Sequence, residues 1–146
     1  MKLAWLLWLA QVLPQPAGDQ LCLATTLYLE ARDQPVTGQR AVAEVALRRQ
    51  ESGVWGDSMC EVVTARSQFA PTLVHPGYRL RNANAWENAV ALAFDAKREW
   101  ALPQGERREL VPGASHFAAH NLVSPAWANE PVAVIGDHSF YRVMRL

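Results

Sequence analysis

The hydrophobic pattern of this chain changes period once, near its end, and that change limits the fold more than any single motif. Between Leu21 and Leu102 apolar residues recur at helical spacing: Leu21, Ala24, Leu27, Tyr28 and Ala31 form one stripe, and Ala41, Val42, Val45 and Ala46 another. Val132–Ile135 and His138–Val143 are instead β-type runs, parted by Gly136-Asp137, the two-residue signature of a tight hairpin. Helices followed by strands exclude an alternating βαβ sheet and predict a single α+β domain, mostly helical, with a small C-terminal β-hairpin. Asp19 is expected to cap a helix from Gln20 that stops at Asp33-Gln34-Pro35. A second helix is expected from about Gly38 to Glu51, with Gly53 as its terminator. Ser58-Met-Cys-Glu61 has the capping-box pattern, and Asn84-Ala-Trp-Glu87 opens a long helix that ends near Leu102.

Ahead of this pattern lies an apolar run of eleven residues, Leu3–Leu13, preceded by Lys2 and followed by Pro-Gln-Pro-Ala-Gly. A bilayer span needs about twenty such residues, so the run is too short to cross. Its layout is that of a secretory leader over residues 1–18, or a signal-anchor-like segment allowing transient membrane association, with the working domain at 19–146. The competing reading makes it a first core helix with Trp5 and Trp8 packed inside. Export would put Cys22 and Cys60 in an oxidising compartment, where an even cysteine count favours one disulfide; otherwise they are two buried thiols. Two cysteines without a CxxC spacing give no support for zinc.

Half of the 146 residues are hydrophobic and 19% are charged, which excludes a disordered chain. Fourteen basic and fourteen acidic residues leave no electrostatic footprint for nucleic acid. No GxSxG, P-loop, dinucleotide fingerprint or HExxH occurs, so those reaction classes lose their usual support.

The residue that stands out chemically is Glu30, the only carboxylate between Leu21 and Ala31. Held against apolar walls, a carboxyl has its charged form disfavoured and can donate a proton near neutral pH, as glycosidic cleavage requires. A solvated helix-end glutamate is the alternative. His116 and His120 are four apart, which suits a metal only on a helix; Gly113 and the Asn121–Pro125 stretch argue for loop or strand. Gln68 and Phe69 offer an amide for a sugar acetamido group and a ring for packing, or else a turn cap and a core Phe. Trp55, Trp86, Trp100 and Trp127 can stack on sugars, although core packing is the commoner use.

Several stretches together resemble the SleB-type cell wall hydrolase family. They are Tyr28-Leu-Glu30-Ala-Arg32, then Gly38-Gln39-Arg-Ala41-Val42-Ala43-Glu-Val45, Gln68-Phe69, Gly113-Ala-Ser-His116-Phe117, Pro125-Ala-Trp127 and Ile135-Gly-Asp-His138-Ser-Phe140-Tyr141-Arg142. The ordered set, from about Leu21 to Arg142, is what carries the resemblance. It implies a fold related to lysozymes and lytic transglycosylases, acting on peptidoglycan. It also maps the family's catalytic glutamate onto Glu30, supports a Cys22–Cys60 bridge, and places Gln68, Phe69, His116 and Tyr141 at cleft positions. Three departures stand out: Asp33-Gln34 replaces the usual Gly-Glu, Arg48-Arg49 replaces Asn-Arg, and Ala118 replaces a second histidine.

With one acid, the resemblance favours a lytic transglycosylase that needs no metal or cofactor and leaves 1,6-anhydro ends. A hydrolytic muramidase helped by Asp33, an N-acetylmuramoyl-L-alanine amidase, and a non-catalytic peptidoglycan-binding module are the alternatives. The expected setting is an exported monomer in the periplasm or cell envelope, of bacterial origin or a phage endolysin.

Overall fold

A computed structural model describes residues 1–66, 68–119 and 130–143. Five α-helices precede a three-stranded sheet: α1 (Leu3–Val12), α2 (Gln15–Ala31), α3 (Val36–Ser52), α4 (Met59–Thr64) and α5 (Ala83–Trp100). The strands are β1 (His116–Ala119), β2 (Ala133–Ile135) and β3 (His138–Tyr141). They are antiparallel in the order β1-β3-β2. The expected hairpin is β2–β3, turned at Gly136 in a left-handed conformation (φ 56°). The segment around His116, left open between loop and strand, is β1; His120 and Pro125-Ala-Trp127 lie outside the described residues.

The central element is α2, which packs against α1, α3, α4 and α5. Leu23, Ala24, Leu27, Tyr28 and Ala31 are buried on it, as the helical spacing predicts. The helix starts five residues earlier than expected, at Gln15, because Pro16 sits in its first turn, where a missing N–H costs nothing. Asp19 therefore caps a different helix. It is 5% exposed inside α2, and its Oδ1 accepts from the Met59 amide at 3.0 Å, the first residue of α4. Its Oδ2 accepts from Gln50 Nε2 of α3 at 3.1 Å.

Two further local signals behave as read. Gly53 closes α3 in the left-handed region (φ 72°), its N–H donating to Gln50 O. Ser58 Oγ accepts from the Glu61 amide at 3.1 Å, while the Glu61 carboxylate reaches the Asp57 amide at 3.0 Å. The cap of α5 is Asn82, two residues before the expected start, with Oδ1 accepting from the Ala85 amide.

The apolar run forms α1. Leu3, Leu6 and Ala10 face the core at 1–4% exposure, whereas Trp5 and Trp8 point outward at 60% and 65%. The competing core-helix reading thus describes the inner face but not the tryptophans. Where α1 turns back into α2, a Cβ on Gly18 would overlap the Ala10 carbonyl oxygen, so a glycine sets the crossing distance.

Cys22 of α2 and Cys60 of α4 are joined, with Cα atoms 5.2 Å apart. The bridge and the Asp19–Met59 bond hold α4 to α2 one turn apart. Closing 38 residues of sequence separation constrains the unfolded chain by about 3–4 kcal/mol. Replacing both cysteines with alanine should lower unfolding stability by that order, read from denaturant midpoints at unchanged m-value.

Candidate active site

Tyr28-Leu-Glu30-Ala-Arg32 occupies the last turn and C-terminal cap of α2, and helical geometry divides its tasks. Tyr28 is 2% exposed and its hydroxyl accepts from the Asn82 amide at 3.1 Å, which fixes the start of α5. Ala31 is fully buried. Arg32 folds back over the Tyr28 ring at 4.9 Å and donates to the Tyr28 carbonyl at 3.0 Å.

Glu30 is half-buried, and its Oε1 accepts from the Ala70 amide at 2.6 Å. Ala70 opens the 3₁₀ turn Ala70–Thr72, so its N–H has no partner within that turn. The carboxylate therefore satisfies a donor that the backbone leaves orphaned. Burial pushes the Glu30 carboxyl above its ordinary range, and the Ala70 hydrogen bond draws it part of the way back. This environment suits a group that must hold a proton at a pH where an exposed glutamate has lost it.

Behind Ala70 runs a continuous set of contacts that reaches every other candidate residue. Gln68 is exposed, and its Oε1 accepts from Arg49 Nη1 at 3.0 Å. Arg49 is 4% exposed; its Nε donates to the Ser115 carbonyl at 2.7 Å, and its guanidinium lies 4.4 Å from the Trp55 ring and 4.9 Å from Phe69. Ser115 Oγ bonds His116 Nδ1 at 2.8 Å, and His116 sits across the strand pair from Tyr141. One side chain from α3 thus ties the loop carrying Gln68 and Ala70 to the entrance of β1.

Phe69 is packed as a core ring, the second of its two readings. Its ring is fully buried between Arg49 and Phe117, with the Phe117 centroid 6.0 Å away, so it supports the loop and offers no open face to a sugar. Phe69 precedes the 3₁₀ turn in an extended conformation, in which neighbouring side chains point to opposite sides, so Phe69 faces inward as Gln68 faces outward. Tyr141 is also buried, at 8% exposure, whereas His116 is half-buried. The tryptophans serve packing as well: Trp86 meets the Tyr28 ring edge-on, Trp55 lies under Arg49, and Trp100 lies beneath Arg48 and Arg107. Trp127 lies outside the described residues.

Arg49 is the residue that sequence reasoning passed over, having noted the Arg48-Arg49 pair only as a departure from a pattern. Its one available signal was position: a charged side chain on the same stripe as Val42, Val45 and Ala46 needs partners. Among the described residues, no group of three His, Cys, Asp or Glu side chains is placed to hold a metal ion.

This combination, a mostly helical domain whose central helix presents a carboxyl held by one backbone amide and pushed toward its protonated form, defines the class: a compact domain with a candidate general acid on that helix. More particularly, the Cell Wall Hydrolase family profile matches residues 33–141, three quarters of the chain, and the chain belongs to that family. The match includes Gln68, Phe69, His116 and Tyr141 and begins three residues after Glu30. No curated protein and no solved structure matches the chain.

Two measurements follow. Because the folded-state pKa of Glu30 is raised, its ionised form costs stability above that pKa and costs nothing below the unfolded-state value. Glu30→Gln should therefore melt higher than the parent at neutral pH, with the gap closing as pH falls below about 4. Arg49→Lys keeps the charge but loses the planar fork shared between Ser115 and Gln68. It should cost about 1–3 kcal/mol in denaturant unfolding, as expected for a broken buried hydrogen-bond pair.

Proposed function

We propose that this cell wall hydrolase cuts the glycan strand of peptidoglycan between N-acetylmuramic acid and N-acetylglucosamine, as a lytic transglycosylase with Glu30 as its acid and base. The observation carrying this reading is the Glu30 carboxyl itself, pushed toward its protonated form by burial and oriented by the Ala70 amide. Membership of a cell wall hydrolase family supports the substrate class and an envelope setting.

In the first step Glu30 gives its proton to the bridging oxygen as the muramyl C1–O bond breaks. The substrate's own N-acetyl group stabilises the developing cation, which removes the need for a second carboxylate. Glu30, now ionised, takes the proton from the muramyl 6-hydroxyl while that oxygen bonds to C1. The acid is regenerated and a 1,6-anhydro end is left. Asp33, the helper in a hydrolytic alternative, is exposed and its Oδ1 accepts from Gln34 Nε2 at 3.3 Å, an environment that gives it no aid as a buried base. Arg49 holds the Gln68 oxygen and Gln68 Nε2 donates one hydrogen to the Arg66 carbonyl at 3.4 Å, an orientation that suits its second N–H to an acetamido carbonyl.

Glu30→Gln should retain the fold and slow the clearing of purified sacculi by about 10²–10⁴-fold. Mass spectrometry of the parent's products should show glycan ends lighter by one water than hydrolysed ends. Reducing ends would replace the reading with a muramidase, released stem peptides with an amidase, and binding without clearing with a wall-binding module. Since the reaction starts from protonated Glu30, activity should fall as pH rises through its raised pKa, at higher pH than an ordinary glutamate would set.

A further inference from the structure

Among the described residues, nothing covers the outer face of α1. Met1, Trp5, Trp8, Leu9 and Val12 recur along one side of the helix and are each 40–65% exposed, while Leu3, Leu6 and Ala10 are buried on the other. A helix apolar on both faces is ordinarily enclosed on both. No described helix is long and apolar enough to cross a membrane, so whatever covers this face lies against it rather than around it.

The charges at the N-terminal end of this face are of one sign. Lys2 pairs through its backbone with Arg79, which is exposed, as is Arg81; Lys2 Nζ lies 5.2 Å from the Trp5 ring. No carboxylate occurs in residues 1–18 or 62–86. Asp19 is turned inward onto Met59, and Glu61, across a groove from Ala10 and Gln11, bonds Asp57 at the opposite end of the helix. Arg79 and Arg81 make no ion pair among the described residues.

We propose that α1 is retained in the working protein and lies flat on an anionic phospholipid surface, with Trp5, Trp8, Leu9 and Val12 in the interfacial layer and Lys2, Arg79 and Arg81 against the headgroups. An apolar face rich in Trp and Leu beside a basic rim is what interfacial helices present. Retention follows from packing: a cut after residue 18 would remove Leu3, Leu6 and Ala10 from the core and the first turn of α2 with them. It would also remove the hydrogen bonds from the Leu3 and Ala4 amides to Tyr78 and Pro76. A second copy paired in parallel through this face would bring the two basic rims together, and an antiparallel pair is the outcome that the oligomeric state in solution tests. The inference stands apart from the role of Glu30.

The test is flotation of the full chain with vesicles of phosphatidylglycerol and phosphatidylethanolamine, against phosphatidylcholine alone. The parent should float with the anionic vesicles, and Trp5→Ser/Trp8→Ser should reduce the floated fraction about tenfold at an unchanged circular dichroism spectrum. High salt should weaken binding through loss of the headgroup contacts. Equal flotation of the double variant, or no flotation of the parent, would overturn the proposal. So would a dimer that forms without lipid and dissociates in the double variant. Protein recovered from cell envelopes should still begin ahead of Leu3; a start beyond α1 would overturn retention.

Discussion

Everything in this domain is referred to one buried helix. Packed against four others, α2 sets the position of three further elements. Asp19 and Cys22 fix α4, Tyr28 fixes the start of α5, and Glu30 fixes the 3₁₀ turn at Ala70. Asp19 and Glu30 are eleven residues apart, about 16 Å along the axis, so one end of the helix is structural while the other carries the candidate acid.

The difference between those ends is one of hydrogen bonding. Asp19 receives the Met59 amide and the side-chain amides of Gln50 and Gln15. Glu44, likewise buried, receives the Leu110 and Val111 amides and Arg48. Each is a carboxylate surrounded by donors, the arrangement that makes a buried charge tolerable. Glu30 has the Ala70 amide as its one hydrogen-bond donor among the described residues, and burial outweighs it. A carboxyl left short of donors is a weak point for folding and an asset for proton transfer, which is where stability and activity are expected to conflict.

Much of this was legible in residue types and spacing. The 3.6-residue stripes gave α2 and α3, and Gly136-Asp137 gave the β2–β3 hairpin, because those signals are local. Glu30 stood out by contrast with its apolar neighbours. What stayed hidden depended on partners distant in sequence. Asp19 looked like a cap for its own helix because its true partner, Met59, is forty residues away. Phe69 and Gln68 are adjacent, and only their distant partners, Phe117 and Arg49, decide which of them faces inward. Arg49 gave no motif at all, since its meaning lies in Ser115, Gln68 and two aromatic rings drawn from three other segments.

The small sheet shows why such distant polar contacts are needed. Three strands of three or four residues cannot hold together in water on their own pairing. The sheet is secured at both ends by helix α3 and the turn before it. At one end Arg48 takes the Val111 and Ala114 carbonyls and Arg49 takes that of Ser115, so neighbouring arginines pin the approach to β1. At the other end Gln34 grips the hairpin tip, its Nε2 donating to Asp137 Oδ2 at 3.0 Å and its Oε1 accepting from the Asp137 amide at 2.9 Å. An amide side chain can do both, whereas a glutamate at position 34 would place a second negative charge beside Asp137 and lose the donor. Gly136 completes the fit, since a Cβ there would strike Gln34 Oε1. Gln34 thus supplies the clamp that fixes the tip of the hairpin to the turn between α2 and α3, a scaffold role carried by one side chain with both a donor and an acceptor.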